Sequence, residues 1–189
     1  MGGFLEREIK LRFDTPEAAR AAVAATGAAP LRARRFQEDC LLDTADEQLR
    51  RQRSVLRVRS EDQHSLLTFK GPVQPGPMKV REELETVVND ADLMLRVLER
   101  LGLHIWFRYQ KYREEWAHED VVIAVDETPV GTFVEIEGSE RGIADVARAL
   151  GKGPGDYLID SYHRLFLTYR EALGFRGHDM VFDEPDRAS

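Results

Sequence analysis

Five stretches of this chain that read as β-strands place like charges two residues apart. The pairs are Glu6/Glu8, Arg57/Arg59, Glu83/Glu85, Lys111/Arg113 and Glu135/Glu137. Residues i and i+2 of an extended strand point to the same face, roughly 6.6 Å apart. At an effective dielectric of about 20, such a pair repels by about 2.4 kcal/mol. Because the signs are sorted strand by strand, the sequence favours an internal site where carboxylates hold a divalent metal and cations hold a multiply charged anion.

Four of the glutamates offer the oxygen ligands that hard cations prefer. They are Glu6, Glu8, Glu135 and Glu137. Oxygen ligands suit Mg²⁺ or Mn²⁺ better than zinc. Cys40 is the only cysteine and the five histidines show no ligand spacing, so no softer metal site is predicted. Glu-x-Glu pairs by themselves are often solvated strand faces, and the accompanying cations are what favour metal binding.

Cations on other predicted strands form the second half of this charge pattern. They are Lys10, Arg57, Arg59, Lys70, Lys111 and Arg113. Arginine forks bind phosphate oxygens in a bidentate manner, and lysine acts as a point charge. A linear triphosphate would neutralise such a set. The alternative is a collection of surface salt bridges, each worth little, but these would have no reason to be sorted by strand.

The size and charge of the chain restrict the other possibilities. Its 189 residues are 42% hydrophobic and 32% charged, which favours one folded domain. We predict that domain over residues 1–175 and a flexible tail over 176–189. The net charge of −7 argues against general binding to nucleic acid or to a membrane surface. The N-terminus lacks a leader pattern and no long apolar run follows, so we expect a cytoplasmic protein.

Period-2 and period-3.6 patterns predict the elements that must position the charges. Strands are predicted at 4–13, 36–43, 54–60, 66–70, 79–88, 105–116, 121–126 and 131–138. Helices are predicted at about 16–27, 90–101, 143–150 and 160–173. Short turns between strands favour antiparallel pairing. The pattern therefore predicts an α+β fold with a β-barrel, whose charged strand faces line a water-filled interior while apolar faces pack against helices.

Several short segments also follow one another in an order typical of a known family. Glu6-Arg7-Glu8-Ile9-Lys10 matches a Glu-x-Glu-x-Lys signature. The segments that follow are 56–59, 68–72, 81–85, 111–113 and 126–138. This arrangement resembles the CYTH superfamily, the triphosphate tunnel metalloenzymes, which include thiamine triphosphatases, inorganic triphosphatases and class IV adenylyl cyclases. The resemblance covers residues 4 to about 170.

The resemblance implies an eight-stranded antiparallel barrel, or tunnel, that binds Mg²⁺ or Mn²⁺ and a triphosphate. The implied metal ligands are Glu6, Glu8, Glu135 and Glu137, with Asp126 as a further candidate. The implied triphosphate-binding residues are Lys10, Arg57, Arg59, Lys70, Arg81, Lys111 and Arg113. The implied catalytic residues are Glu83, Glu85 and Lys70, with the glutamates placing a second metal or the attacking water.

One departure from the family bears on the mechanism. Some members carry a tyrosine in the strand after the first helix, where it can pair with the lysine that matches Lys70. Leu41 and Leu42 stand there in this chain. We therefore expect attack by water with metal assistance, not a tyrosine–lysine mechanism.

Three functions are compatible with these observations. The first is a metal-dependent triphosphatase that releases the terminal phosphate of tripolyphosphate, thiamine triphosphate or a nucleoside triphosphate. The second is an adenylyl cyclase that converts ATP to cyclic AMP and pyrophosphate, and the third is a non-catalytic polyphosphate or nucleotide binder. The sequence favours hydrolysis, because no segment identifies a purine pocket and a binder would not need the acids. The expected partner is a small-molecule triphosphate, with the chain as a monomer or a homodimer.

Overall fold

The computed structural model describes residues 4–62 and 64–183. Eight antiparallel strands close into a barrel in the order β1-β5-β4-β3-β2-β6-β7-β8, with β8 paired to β1. The strands are β1 (Phe4–Phe13), β2 (Ala29–Thr44), β3 (Val55–Glu61), β4 (His64–Lys70), β5 (Lys79–Val88), β6 (Leu103–His118), β7 (Val121–Thr128) and β8 (Gly131–Gly138). The prediction of an α+β fold with an eight-stranded antiparallel barrel is confirmed.

Five α-helices flank the barrel in the part of the chain that the structure describes. They are α1 (Pro16–Ala25), α2 (Gln48–Arg51), α3 (Ala91–Arg100), α4 (Glu140–Ala149) and α5 (Tyr162–Tyr169). Side chains of Thr15, Asp90, Ser139 and Ser161 accept hydrogen bonds from backbone amides at the starts of α1, α3, α4 and α5, which is the usual role of N-cap residues. Among the described residues, no helix has the length and apolar content needed to cross a membrane.

Alternation along β1 explains why the barrel has a charged interior and an apolar exterior. Glu6, Glu8 and Lys10 face inward, whereas Ile9 and Leu11 face outward and are fully buried. The outward residues join a core that also contains Val23 of α1 and Ile143 and Val146 of α4. The helices therefore bury the outer face of the sheet, and the inner face is left free to carry the site.

The two longest strands extend beyond their predicted limits. The structure has β2 over Ala29–Thr44 and β6 over Leu103–His118, and these strands pair with each other from Ala29/Ala117 to Thr44/Leu103. The alternation of β2 is obscured in the sequence by Pro30 and the arginines that follow. Register shifts in this pairing at residues 30–35 show that the backbone there is irregular.

The segment from 176 to 183, which was predicted to be part of a tail, lies against β6. Met180 is fully buried, its amide donates to the carbonyl of Arg108 at 2.9 Å, and its carbonyl accepts from the amide of Gln110 at 2.9 Å. The carboxylate of Asp179 accepts from the amide of Arg108. The pairing of β6 with β7 begins at Tyr112, so this segment covers the part of β6 that β7 does not reach. Residues 184–189 lie outside the described residues.

Candidate active site

The inside of the barrel contains a cavity of about 270 Å³, which we call the tunnel. Ten lysine and arginine side chains and eight glutamates of the described residues line it, a formal charge of +2. The whole chain carries −7. The cationic side chains are therefore concentrated in the interior, as a local anion site requires.

Acidic side chains occupy three neighbouring strands of the barrel, β8, β1 and β5. This acid wall consists of Glu135, Glu137, Glu6, Glu8, Glu83 and Glu85. Glu8 lies directly opposite Glu137 in the β1–β8 pairing. Burial and the charges of Glu6 and Glu8 raise the pKa of Glu137 to about 7. The acid wall therefore holds more negative charge at this point than its neighbours neutralise.

Cationic side chains occupy the facing strands. This basic wall consists of Arg57 and Arg59 on β3 and Lys111 and Arg113 on β6. Strands four places apart in the closed order lie across the barrel from each other, so β3 faces β8 and β6 faces β5. The fold thus places the acid wall and the basic wall on opposite strands, and the two meet where Arg113 contacts Glu135 and where Arg57 lies 3.3 Å from Glu85.

Two fully buried aspartates hold the basic wall in place from behind. Asp39 accepts from Arg59 Nε at 2.9 Å and also lies 3.4 Å from Arg57 Nε. Asp126 accepts from Lys111 at 2.9 Å and from Arg113 Nε at 2.6 Å. Burial by itself would raise the pKa of Asp126, but Arg113 and Lys111 outweigh it and lower that pKa. Both aspartates are therefore ionised and fix the direction of the cations.

Four further cations lie among the acids themselves. Lys10 Nζ contacts Glu8 at 2.9 Å and Glu135 at 3.3 Å. Lys70 Nζ contacts Glu6 and Glu83, each at 2.7 Å. The other two are Arg81, which contacts Glu6, and Lys79, which contacts Glu8. We call these four the bridging cations.

Comparison with known proteins identifies the family. The CYTH domain profile matches residues 5–156, which include all eight strands of the barrel. This chain belongs to the CYTH family. The prediction made from the Glu-x-Glu-x-Lys signature and the segments that follow it is confirmed.

Individual CYTH relatives carry names that point to nucleotide chemistry. A protein of Methanocaldococcus jannaschii named "putative adenylate cyclase" is 31% identical over 118 residues, which are 62% of this chain and 67% of that protein. A solved structure described with the same words, from Vibrio parahaemolyticus, has a TM-score of 0.78 at 19% identity and covers 88% of this chain and 99% of its own. A Hippeastrum protein, described as a "putative adenylyl cyclase" with a dominant triphosphatase activity, has a TM-score of 0.66 at 21% identity over 88% of this chain and 96% of its own. At these identities the two structures support the fold alone.

The acid wall suits the divalent metals that CYTH tunnel enzymes generally use. Its donors are all carboxylate oxygens, the preference of Mg²⁺ and Mn²⁺. The described residues contain no group of three or more carboxylate, imidazole or thiol side chains already gathered around a metal position, because the bridging cations contact the same oxygens. Glu137, however, forms no ion pair with a described residue, and burial followed by the charges of Glu6 and Glu8 raises its pKa. The donor set and this carboxylate without a counter-ion fit a divalent cation at Glu6, Glu8 and Glu137.

The raised pKa of Glu137 predicts a pH effect on the metal-free protein. The folded-state pKa of about 7 lies above the ordinary value of 4.5, so the stabilising contribution of the proton is complete below pH 4.5 and is lost as pH rises through 7. Surrounding protein atoms desolvate the Glu137 carboxylate, but its side chain keeps contact with solvent, which screens the charge. We therefore expect the Tm of the wild type at pH 8 to lie below that of Glu137→Gln by no more than about 2–4 °C. The two proteins should have the same Tm at about pH 4. Thermal unfolding in EDTA checks this, and an equal difference at both pH values would contradict the raised pKa.

All but one of the residues predicted for the site line the tunnel. The exception is Asp126, which lies behind the basic wall and has its oxygens occupied by Lys111, Arg113 and the hydroxyl of Tyr162. Its role as a metal ligand stays a prediction, whereas its contacts are those of a residue that positions the basic wall. Leu41 lines the tunnel on β2, where some family members have the tyrosine noted above.

Sequence reasoning missed several residues of the tunnel. Lys79, Glu61 and Glu115 line it, and each stands two residues from a predicted site residue on the same strand, so extending the alternation would have found them. Gln37 also lines it, is fully buried and has a side-chain oxygen without a hydrogen-bond partner. Asp39 gave no such signal, because its pairing with the arginines of β3 depends on which strands are neighbours.

Proposed function

We propose that this CYTH protein is a divalent-metal-dependent triphosphatase that cleaves the terminal phosphate from a triphosphate. The observation that carries the proposal is the acid wall facing the basic wall across one tunnel. A triphosphate carries about four negative charges near neutral pH. One divalent cation bound beside the triphosphate would reduce the charge that the site must accept to about −2, and the cations that line the tunnel would bind that charge.

The size of the tunnel supports a substrate whose phosphate chain is the part that enters. Sites that bury a drug-sized organic ligand usually have about 300–1,000 Å³. The tunnel has about 270 Å³ and a lining made mostly of charged side chains. It therefore has room for a short phosphate chain more readily than for a whole nucleotide.

The basic wall supplies the groups that bind the phosphates. Arg57 and Arg59 present guanidinium forks from β3. Lys111 and Arg113 add positive charge from β6, which is separated from β3 by β2. Charge-assisted hydrogen bonds from such forks are about twice as strong as neutral ones. Because Asp39 and Asp126 hold these cations before substrate arrives, little reorganisation is needed as charge develops on the leaving oxygens, which is the condition for strong electrostatic stabilisation.

Glu83 is the better placed of the two glutamates to act as general base. Burial and the charge of Glu6 raise the pKa of Glu83, which brings it closer to the range in which a base takes a proton from water efficiently. Both glutamates are engaged in the absence of substrate, since Glu83 accepts from Lys70 at 2.7 Å and Glu85 accepts from Thr68 at 2.8 Å. The raised pKa is therefore what favours Glu83. A divalent cation held by Glu6, Glu8, Glu135 and Glu137 would neutralise phosphate oxygens and make a bound water more acidic.

Adenylyl cyclase activity is the second candidate. It is supported by the name of the Methanocaldococcus relative at 31% identity. A related protein from Hippeastrum that carries a cyclase name is described as mainly a triphosphatase, so the two activities are compatible with one fold. Hydrolysis remains the proposal because the tunnel, with about 270 Å³ and a mostly charged lining, offers space for the phosphates.

A product assay distinguishes the candidates. Purified protein with Mg²⁺ or Mn²⁺ is given tripolyphosphate, thiamine triphosphate and ATP in turn, and the products are followed by phosphorus NMR. Orthophosphate with a diphosphate indicates the hydrolase, and pyrophosphate with cyclic AMP indicates the cyclase. Tight binding without turnover of any of the three would contradict both enzymatic proposals and favour a binding protein.

Replacing Arg59 by alanine should weaken substrate binding and slow the reaction together. The guanidinium is buried and held by Asp39, so its loss removes a charge-assisted contact worth roughly tenfold in KM and some stabilisation of the reacting phosphate. Initial rates over a range of substrate concentrations check this. Arg59→Lys keeps the charge and loses the fork, so it should fall between wild type and Arg59→Ala. An unchanged KM in Arg59→Ala would show that Arg59 does not bind the triphosphate.

A further inference from the structure

Lys79, at the start of β5, is a tunnel residue that the proposed mechanism does not use. Its side chain is 5% exposed and its Nζ donates to Oε1 of Glu8. The β1–β5 register sets Lys79 directly opposite Glu8. Lys10 donates to the same oxygen at 2.9 Å. Two ammonium groups thus share one oxygen of a carboxylate that fits a divalent cation.

The neighbouring carboxylate is occupied in a similar way. One oxygen of Glu6 accepts from Lys70 at 2.7 Å, and the other accepts from Arg81 at 2.9 Å. In this state the bridging cations neutralise much of the acid wall. A divalent cation at Glu6 or Glu8 would compete with these contacts and repel the ammonium groups that make them.

An ammonium group that loses its partner inside the barrel must pair with another anion or give up its proton. An unpaired buried charge is strongly destabilising. Lys79 is buried and lines the tunnel. With a metal on Glu6, Glu8 and Glu137, a phosphate chain bound in the tunnel is the anion that can replace Glu8 as its partner. Lysine suits this exchange because its flexible stem moves a compact charge between partners.

We propose that Lys79 is a further triphosphate-binding residue, which Glu8 holds until a divalent cation takes that carboxylate. The inference rests on the proposed substrate class. The exchange couples the two ligands, because metal on Glu8 releases Lys79 for phosphate and phosphate on Lys79 releases Glu8 for metal. By linkage, the metal strengthens triphosphate binding by the same factor as the triphosphate strengthens metal binding.

Lys79→Met should change the two affinities in opposite directions. Without triphosphate, Mn²⁺ should bind roughly fivefold more tightly, because a competitor for Glu8 is gone. With Mn²⁺ saturating, a tripolyphosphate analogue in which NH replaces the bridging oxygens should bind about tenfold more weakly, because one charge-assisted contact is lost. Lys79→Arg keeps the charge and should restore most of the analogue affinity.

Equilibrium binding checks both changes without relying on turnover. Electron paramagnetic resonance of free Mn²⁺ gives the metal affinity, and calorimetry with the Mn²⁺ complex of the analogue gives the second. Lys111→Met is the matched control, because Lys111 is equally buried in the same tunnel but pairs with Asp126 across from the acid wall. Lys111→Met should weaken binding of the analogue and leave the Mn²⁺ affinity within about twofold of that of wild type.

The outcomes separate this inference from the proposed function. Equal weakening of both ligands in Lys79→Met would indicate a structural role and overturn the exchange, as would unchanged analogue binding. An equal gain in Mn²⁺ affinity in Lys111→Met would show that removing any tunnel cation strengthens metal binding. That result would also overturn the exchange of Lys79 between Glu8 and phosphate. Wild-type protein that binds the analogue but hydrolyses no triphosphate would overturn the hydrolase alone, and the opposite-signed changes would still support the role of Lys79.

Discussion

Glu8→Gln should lower kcat/KM for triphosphate hydrolysis by about a thousandfold, the scale seen when one preorganised electrostatic group is removed from an active site. Glu8 is 4% exposed, faces Glu137 across β1 and β8, and contacts Lys10 and Lys79. Glutamine keeps the volume and removes the charge. The variant therefore loses both a ligand for a divalent cation and the counter-ion of two ammonium groups. Initial rates over a range of Mg²⁺ concentrations measure the loss.

Glu82→Gln is the control for this substitution. Glu82 lies on β5 between two tunnel residues but is exposed and does not line the tunnel, so its activity should stay close to that of wild type. Circular dichroism of Glu8→Gln confirms that the comparison is between folded proteins. Wild-type activity in Glu8→Gln would show that the assignment of Glu8 to the metal site is wrong.

Asp126→Asn should cost about 3–5 kcal/mol of unfolding free energy, because it leaves a buried charge cluster without its counter-ion. Asp126 is fully buried and accepts from Lys111, Arg113 and Tyr162. For a chain of this length the loss corresponds to a fall in Tm of roughly 10 °C. Urea unfolding and thermal unfolding measure it. Activity should fall as well, since two cations of the basic wall lose the group that directs them.

The same variant distinguishes the two roles open to Asp126. If it positions the basic wall, Mn²⁺ should bind Asp126→Asn nearly as well as wild type in the absence of triphosphate. If it is a metal ligand, Mn²⁺ affinity should fall by tenfold or more. Asp145→Asn serves as the control, because Asp145 pairs with Arg141 and Arg148 on an exposed face of α4, where such pairs contribute about 0–1 kcal/mol. Normal stability of Asp126→Asn would contradict the structural role.

The barrel was predictable because most of its strands show a period-2 pattern in their own sequence. In β1 the inward Glu6, Glu8 and Lys10 alternate with the outward Ile9 and Leu11, although Arg7 also faces outward. Inward charges recur at every second residue over much of β5 and β8. Period 2 is a property of the backbone, so it survives in the sequence whatever the strand pairs with. The early part of β2 lacked this signal, because Pro30 and a run of arginines obscure which residues face inward.

The sequence predicted which residues line the candidate site better than it predicted which of them contact one another. The inward faces of β1, β3, β4, β5, β6 and β8 place the predicted glutamates, lysines and arginines in the tunnel. Nothing local, however, indicated that Asp39 lies behind Arg57 and Arg59, or that Lys79 would share Glu8 with Lys10. These contacts join residues distant in sequence, and they exist because β2 pairs with β3 and β5 pairs with β1.

By itself the sequence indicated which of the predicted charged side chains face a common interior, and with them the family. Alternation and charge depend only on the residue types along each strand, so they can be recognised without knowing which strands pair. Only the tertiary structure decided that acids and cations occupy opposite walls, because that depends on the order in which eight strands close. It also decided which carboxylate each cation contacts, since Coulomb energy depends on distance across the barrel and not on position along the chain.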